Sequence, residues 1–408
     1  MIWQRWATTA RVRIAGHPLF PEAHLEYLAV HAEDSSVRQA VAENPSTLGA
    51  ALDKLGRDSA VHVRRAVASN PNTSGATLDR LVSDSDSGVL KGVLSNPSAP
   101  GDVLSWALHG LVDESQGGRV SLGDVVTNPS IPAHVLERLS HHRTRYVRSS
   151  VALNPSTPVP VLERLSCDMP SVRRSVAGNP ATPICLLEVL AADEVHDVRR
   201  SVAENPGTSE ILLERLATDW AWLVRDSVAC NARSPLSLLL RLATDDHELV
   251  RADVARHPRT PIELLERLAS DPRDLVLQGV AMNKATPGHV LQQIGAVGTP
   301  LALSAVAQHP SAPVSLLERL ASDPLPLARE ALVGNPSLPD RILEALVSDP
   351  DAGLRCVLAR NQNTPRPALE RLALDPSEAV RCALTSNQSL PLDLVMRIAR
   401  EVNLIESA

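Results

Sequence analysis

Arginine returns at a fixed place along this 408-residue chain. Arg11, Arg38, Arg64, Arg148, Arg173, Arg199, Arg225, Arg251, Arg329, Arg355 and Arg381 each follow an apolar residue at the same step of a recurring pattern. A ladder of guanidiniums on one face could hold a phosphate backbone. The doubled stretches Arg64-Arg65, Arg173-Arg174 and Arg199-Arg200 are the candidate stripe for such an anionic ligand. The competing chemistry is internal. An Asp stands six residues before several of these arginines, as Asp193 before Arg199 and Asp219 before Arg225. A second acidic series keeps its own register at Glu26, Asp53, Asp79, Glu137, Glu163, Glu188, Glu214, Glu266, Glu318, Glu344 and Glu370. Planar guanidiniums pair well with carboxylates, so a self-neutralising ladder is the reading adopted.

Other reactive side chains carry less. Cys167, Cys185, Cys230, Cys356 and Cys382 are an odd number, far apart, with no CxxC pair, which speaks against a disulfide framework or a zinc knuckle. They read as free thiols of a reducing compartment, and a cytoplasmic protein is expected. His141-His142 is an adjacent pair in a loop and not a ligand set. There is no GxSxG, HExxH or glycine-rich phosphate loop, and the carboxylates follow the pattern where a catalytic pair should break it. The sequence therefore reads as no enzyme, with no metal and no cofactor.

Composition agrees. Acids outnumber bases 47 to 40, so nucleic acid and anionic membranes are poor default partners. No apolar run is long enough to span a bilayer, and the first residues lack the apolar core of a signal peptide. Aromatic residues are 2% of the chain. Two of the five tryptophans, Trp220 and Trp222, nonetheless share one short turn whose sister turns are polar or contain proline. Exposed tryptophan is a common interface anchor. Trp220 and Trp222 are therefore candidate partner-binding residues, the alternative being that Trp222 folds over the neighbouring turn and fills a gap.

What must position these residues is a repeat. Asn-Pro occurs at Asn44, Asn70, Asn96, Asn128, Asn154, Asn179, Asn205 and Asn335, and degenerate copies stand at His17, Asn231, His257, Asn283, His309, Asn361 and Asn387. The gaps run 27, 26, 26, 32, 26, 25 and then eight times 26. Each unit reads NPSTPxxLLERLAxD, four variable residues, then VRxxVAx. Thr before Pro looks like an N-cap followed by proline at N1. Leucines such as Leu264, Leu265 and Leu268 make one apolar stripe. The second half predicts a shorter helix, with a small residue (Ser175, Ser201, Ala331) where neighbouring backbones approach, and Pro after Asn ends it. Helices this short are marginal alone, so they must stack. The expectation is an all-α solenoid of about fifteen units, a curved rod of roughly 100–150 Å contour at the spacing of packed helices. The Asn anchors read as turn-forming amides bonded to backbone, with His17, His257 and His309 serving the same purpose.

The combination of NPSTP, LLERLA, D and VRxxVA resembles the leucine-rich repeat variant family. It extends from His17 to about Arg400, and VARHPRTPIELLERLASDP (Val254–Pro272) carries it most plainly. The resemblance implies alternating α- and short 3₁₀-type helices in a right-handed superhelix without a sheet, and little catalytic precedent. Some members ligate an iron–sulfur cluster through a cysteine-rich N-terminal segment. No cysteine precedes Cys167 here, so that cofactor is not carried over.

A single solenoid is expected over 1–408: a cap at 1–16 bearing Trp3 and Trp6, repeats over 17–390, a polar loop insertion near 110–124, and a closing helix over 391–408. The unit after Asn283 is degenerate, lacking both Asp and Arg. The function expected is a protein–protein interaction scaffold whose partner is unknown. Nucleic-acid binding by the Arg ladder is the alternative, and a hidden enzyme a distant third.

Overall fold

The computed structural model describes residue 15, residues 22–112, 126–324, 326–384 and residue 387. The cap with Trp3 and Trp6, the anchor His17, most of the insertion near 110–124 and the closing helix from Pro391 lie outside the described residues. Those described form twenty-seven α-helices and no strand. Contacts divide the chain into two compact units, Met1–Ser209 and Glu210–Ala408.

Within each unit two helix types alternate, and both are α-helical. The leucine-rich helices are mostly seven residues, as Ile184–Leu190 and Ile262–Leu268, and bury their stripe (Leu264, Leu265 and Leu268). The second-half helices are mostly nine residues, as Pro170–Gly178 and Asp274–Met282. The second helix is therefore the longer one, against expectation, and no 3₁₀ segment is seen among the described residues. The reason lies at the proline. Pro183 is the N-cap itself, extended at φ −67° and ψ 151°, so the leucine helix starts one residue later than a proline at N1 would start it. The threonine before it does not cap that helix. Thr182 Oγ1 donates to the carbonyl of Val176, 2.6 Å away, near the end of the preceding helix.

Successive nine-residue helices pack on one another, Arg145–Leu153 on Pro170–Gly178 in the first unit and Glu248–Arg256 on Asp274–Met282 in the second. The small-residue position makes that approach possible. A Cβ on Gly279 would stand 2.5 Å from the carbonyl oxygen of Ala252, a distance real side chains do not reach.

The anchors tie one repeat to the next. Asn179 Nδ2 donates to the carbonyls of Ala152 (2.6 Å) and Asn154 (2.8 Å), while its Oδ1 accepts from the amide of Ala181 (2.8 Å). One buried amide thus closes its own turn and satisfies two carbonyls of the repeat before it, which buried backbone groups require. The pattern survives the insertion: Asn128 Nδ2 reaches Leu94 and Asn96 carbonyls at 2.7 and 2.9 Å. The extra residues leave the ladder's register intact. The first three of them, 110–112, continue the helix Gly101–Val112.

Candidate interaction surface

The arginine ladder is a second set of ties between repeats. Arg251 directs Nε to Asp271 Oδ2 (2.7 Å) and Nη2 to Asp271 Oδ1 (3.1 Å), a two-pronged bond to the following repeat. Its Nη1 donates to the main-chain oxygen of Asp245, 2.7 Å away. The partner carboxylate is thus twenty residues later. The Asp six residues earlier supplies only its carbonyl, which corrects the pairing read from the sequence. Its own carboxylate faces back, where Arg225 Nε meets Asp245 Oδ2 at 2.6 Å. Each carboxylate also caps its turn, as when Asp245 Oδ1 accepts from the amide of His247. The same pair recurs at Arg38–Asp58, Arg64–Asp84, Arg148–Asp168, Arg173–Asp193, Arg329–Asp349 and Arg355–Asp375.

Electrostatics follow from this geometry. Burial works to raise the Asp193 carboxyl, but Arg173 and the Val195 amide outweigh it and hold it below the usual carboxylate range. The bond to Asp193 raises Arg173 in turn. Where the degenerate unit meets the one before it, both halves of one pair are lost, since Leu277 replaces the arginine of the preceding unit and Val297 the acid twenty residues on. Without that acid the leucine-rich helix runs on to ten residues, Gly288–Val297. The next rung is lost by half, with Leu303 opposite a retained Asp323.

The candidate anionic stripe is therefore divided. Arg64 and Arg173 are held in the ladder, and Arg199 is buried with Nη1 donating to the carbonyls of Asp193 and Glu194. The second members point elsewhere: Arg65 binds both oxygens of Asp86 at 2.8 Å, and Arg200 Nε meets Glu204 at 2.8 Å. Arg174 is exposed and makes no ion pair among the described residues.

Trp220 is 79% exposed, and its carbonyl accepts from Arg225. Trp222 is half-buried and lies flat on His247 of the following turn, ring centroids 3.8 Å apart and planes 3° from parallel. The two tryptophans thus differ in kind: one faces solvent, the other covers its neighbour. Cys230 Sγ donates to Asp253 Oδ2 at 3.2 Å; burial and that carboxylate push the thiol up to about 12, so it stays protonated at neutral pH. Among the described residues no group of three or more His, Cys, Asp or Glu is placed to hold a metal ion, and no helix is long and apolar enough to cross a membrane.

The histidine anchors imitate asparagine. His257 Nδ1 accepts from the Arg259 amide at 3.1 Å, so Nε2 carries the proton facing the Asn231 carbonyl at 3.2 Å. His309 does the same with Ser311 and Asn283. Burial pulls both imidazoles below their ordinary value. Protonation would cost the Nδ1 acceptor. A folded pKa below the unfolded one means stability is complete above about pH 6.5 and is lost as pH falls from there through the folded values. Urea melts at pH 7.5 and 5.5 should therefore show a loss on acidification that His257→Asn with His309→Asn reduces. An equal loss in the double variant contradicts this.

The leucine rich repeat variant family model matches two of the units, residues 61–86 and 248–273. The chain carries leucine rich repeat variant units. A solved structure described as a leucine-rich repeat variant with a novel repetitive protein structural motif is 28% identical over 55% of this chain and 88% of its own, with a TM-score of 0.39. An engineered protein is 15% identical over 92% of this chain and 98% of its own, at TM-score 0.25. No curated protein matches the chain at a significant level. The matched unit 248–273 holds one complete rung, with Arg251 and Asp271 at its two ends.

Proposed function

We propose that this protein is a non-catalytic scaffold that presents its helical repeats to another protein. The observation that carries this reading is how the repeat's polar chemistry is used. The arginines, aspartates and asparagines that recur in register bond one repeat to the next, as Arg251 does to Asp271 and Asn179 to Ala152 and Asn154. Variation is left to surface positions, where partner choice is made in stacked-repeat proteins. Trp220 is the candidate anchor, an exposed aromatic side chain of the kind that dominates interface energetics. Trp222, stacked on His247, supports the turn that displays it. Nucleic acid as the partner has less behind it, because most of the ladder's charge is already matched by carboxylates.

The test is Trp220→Ala and Trp222→Ala in the full chain, each scored for melting temperature and for proteins captured from lysate. Trp220→Ala should lose partners and leave the melting temperature within about 1 °C, as for most surface substitutions. Trp222→Ala should lower the melting temperature. If both leave the captured proteins unchanged, the tryptophans are not the interface.

A further inference from the structure

Five consecutive second-half helices of the second unit, four of nine residues and one of eight, carry leucine as their second residue. They are Leu223 in Trp222–Cys230, Leu249 in Glu248–Arg256, Leu275 in Asp274–Met282, Leu301 in Pro300–Gln308, and Leu327 in Pro326–Val333. Each of these helices packs on the next, so the leucines form one ridge in register. The first three are half-buried, and the last two are exposed at 50% and 59%.

The fold does not need leucine at this position. In the first unit the same second residue is Ser36, His62, Gly88, Tyr146, Ser171 or Asp197, and after Leu327 it is Gly353 and Ala379. A repeat that packs equally well around serine or aspartate has no structural use for five partly exposed leucines. A contiguous apolar strip of this size marks an interaction site.

Charge says what covers it. Asp246, Asp274 and Glu330 flank the ridge and form no ion pair among the described residues, and Asp274 Oδ1 is buried without a hydrogen-bond partner. The nearby arginines are engaged: Arg225 with Asp245, Arg251 with Asp271, Arg256 with Asp253, Arg273 with Glu248. The surplus is acidic. Spacing fits a helix. Packed helices lie roughly 8–10 Å apart, and an α-helix returns the same face every seven residues, about 10.5 Å along its axis. Apolar residues at i and i+7 of a bound helix would meet successive leucines, with i+3 and i+4 filling between them.

We propose that the Leu223–Leu327 ridge is the docking site for a cationic amphipathic helix of a partner protein, its apolar stripe on the leucines and its Lys or Arg side chains on Asp246, Asp274 and Glu330. This rests on the scaffold reading and assigns it a partner chemistry.

The test uses the full chain and a synthetic peptide of about eighteen residues, five helical turns, with leucine along one face and lysine on its flanks. A glutamate-for-lysine peptide is the control. Binding is read by fluorescence anisotropy and self-association by sedimentation. The lysine peptide should bind, the glutamate peptide should not, and Leu275→Ser with Leu301→Ser should weaken binding at least about tenfold, given the apolar area removed. Serine already serves at this register in Ser36 and Ser171, so the variant should melt as the parent does. Asp274→Asn with Glu330→Gln should weaken binding and flatten its dependence on salt. The proposal is overturned if the lysine peptide does not bind, if the leucine variant or the glutamate peptide binds as tightly, or if the parent self-associates through the ridge and the leucine variant does not. Lysate proteins retained by both parent and leucine variant would leave the scaffold reading standing while the ridge assignment fell. Lysate proteins retained by neither would count against the scaffold reading alone.

Discussion

Replacing Asn179 with alanine should cost about 3–4 kcal/mol of stability. Three hydrogen bonds of roughly 1 kcal/mol each are lost, and two carbonyls and an amide are left facing an apolar side chain. Asn179 is fully buried and its three bonds lie at 2.6 to 2.8 Å, so no water takes its place without a rearrangement. Repeats are coupled to their neighbours only, so the damage should centre on the junction between the units that begin at Asn154 and Asn179. Hydrogen exchange there should quicken more than in distant repeats. Asn179→His should recover part of the loss, because His257 and His309 already make the turn bond and one of the two carbonyl bonds. Urea denaturation of the three proteins checks this. An alanine variant within 1 kcal/mol of the parent would mean the ladder only decorates a structure held by its leucines.

The second large effect is at the arginine ladder. Asp271→Ala should destabilise by about 2–3 kcal/mol, since it strands the mostly buried Arg251 guanidinium and uncaps the turn at the Arg273 amide. Arg251→Leu should cost less, because Asp271 can still cap and can reach water. The chain has made that exchange itself at Leu303, where Asp323 remains. The ladder also sets acid stability. The carboxyls of Asp58, Asp84, Asp168, Asp193, Asp245, Asp349 and Asp375 titrate below their unfolded value of about 3.9, so their contribution is complete above that pH and is lost as pH falls through the folded values. Denaturant melts at neutral pH give the order of the two variants. Arg251→Leu proving the worse of the two would show that the cap matters less than the charge.

Much of this fold was legible because the repeat is so regular. Asn, Thr-Pro, the leucine stripe and the small position return on schedule, and each has a local physical reason. The direction of the Arg–Asp pair was not legible. An acid six residues before an arginine and one twenty residues after it are equally plausible in one dimension; only the stacking shows that the nearer Asp turns its carbonyl to the arginine and its carboxylate to the previous repeat. The helix lengths failed for a related reason: Thr182 looks like a cap for the leucine-rich helix after it, yet bonds backward to Val176. The tryptophan turn was visible as an anomaly, but that Trp222 rests on His247 while Trp220 faces solvent required the neighbouring turn in place. The leucine ridge was present in the sequence as five leucines spaced by 26 residues. It was hidden among core leucines until exposure separated the two kinds.

The measurement that bears most directly on the scaffold reading is capture by the immobilised full chain from native lysate, split into nuclease-treated and untreated halves, with Trp220→Ala alongside. On the scaffold reading, a protein is retained equally in both halves and is diminished by the substitution. Retention of nucleic acid, with any bound protein released by nuclease, would contradict it.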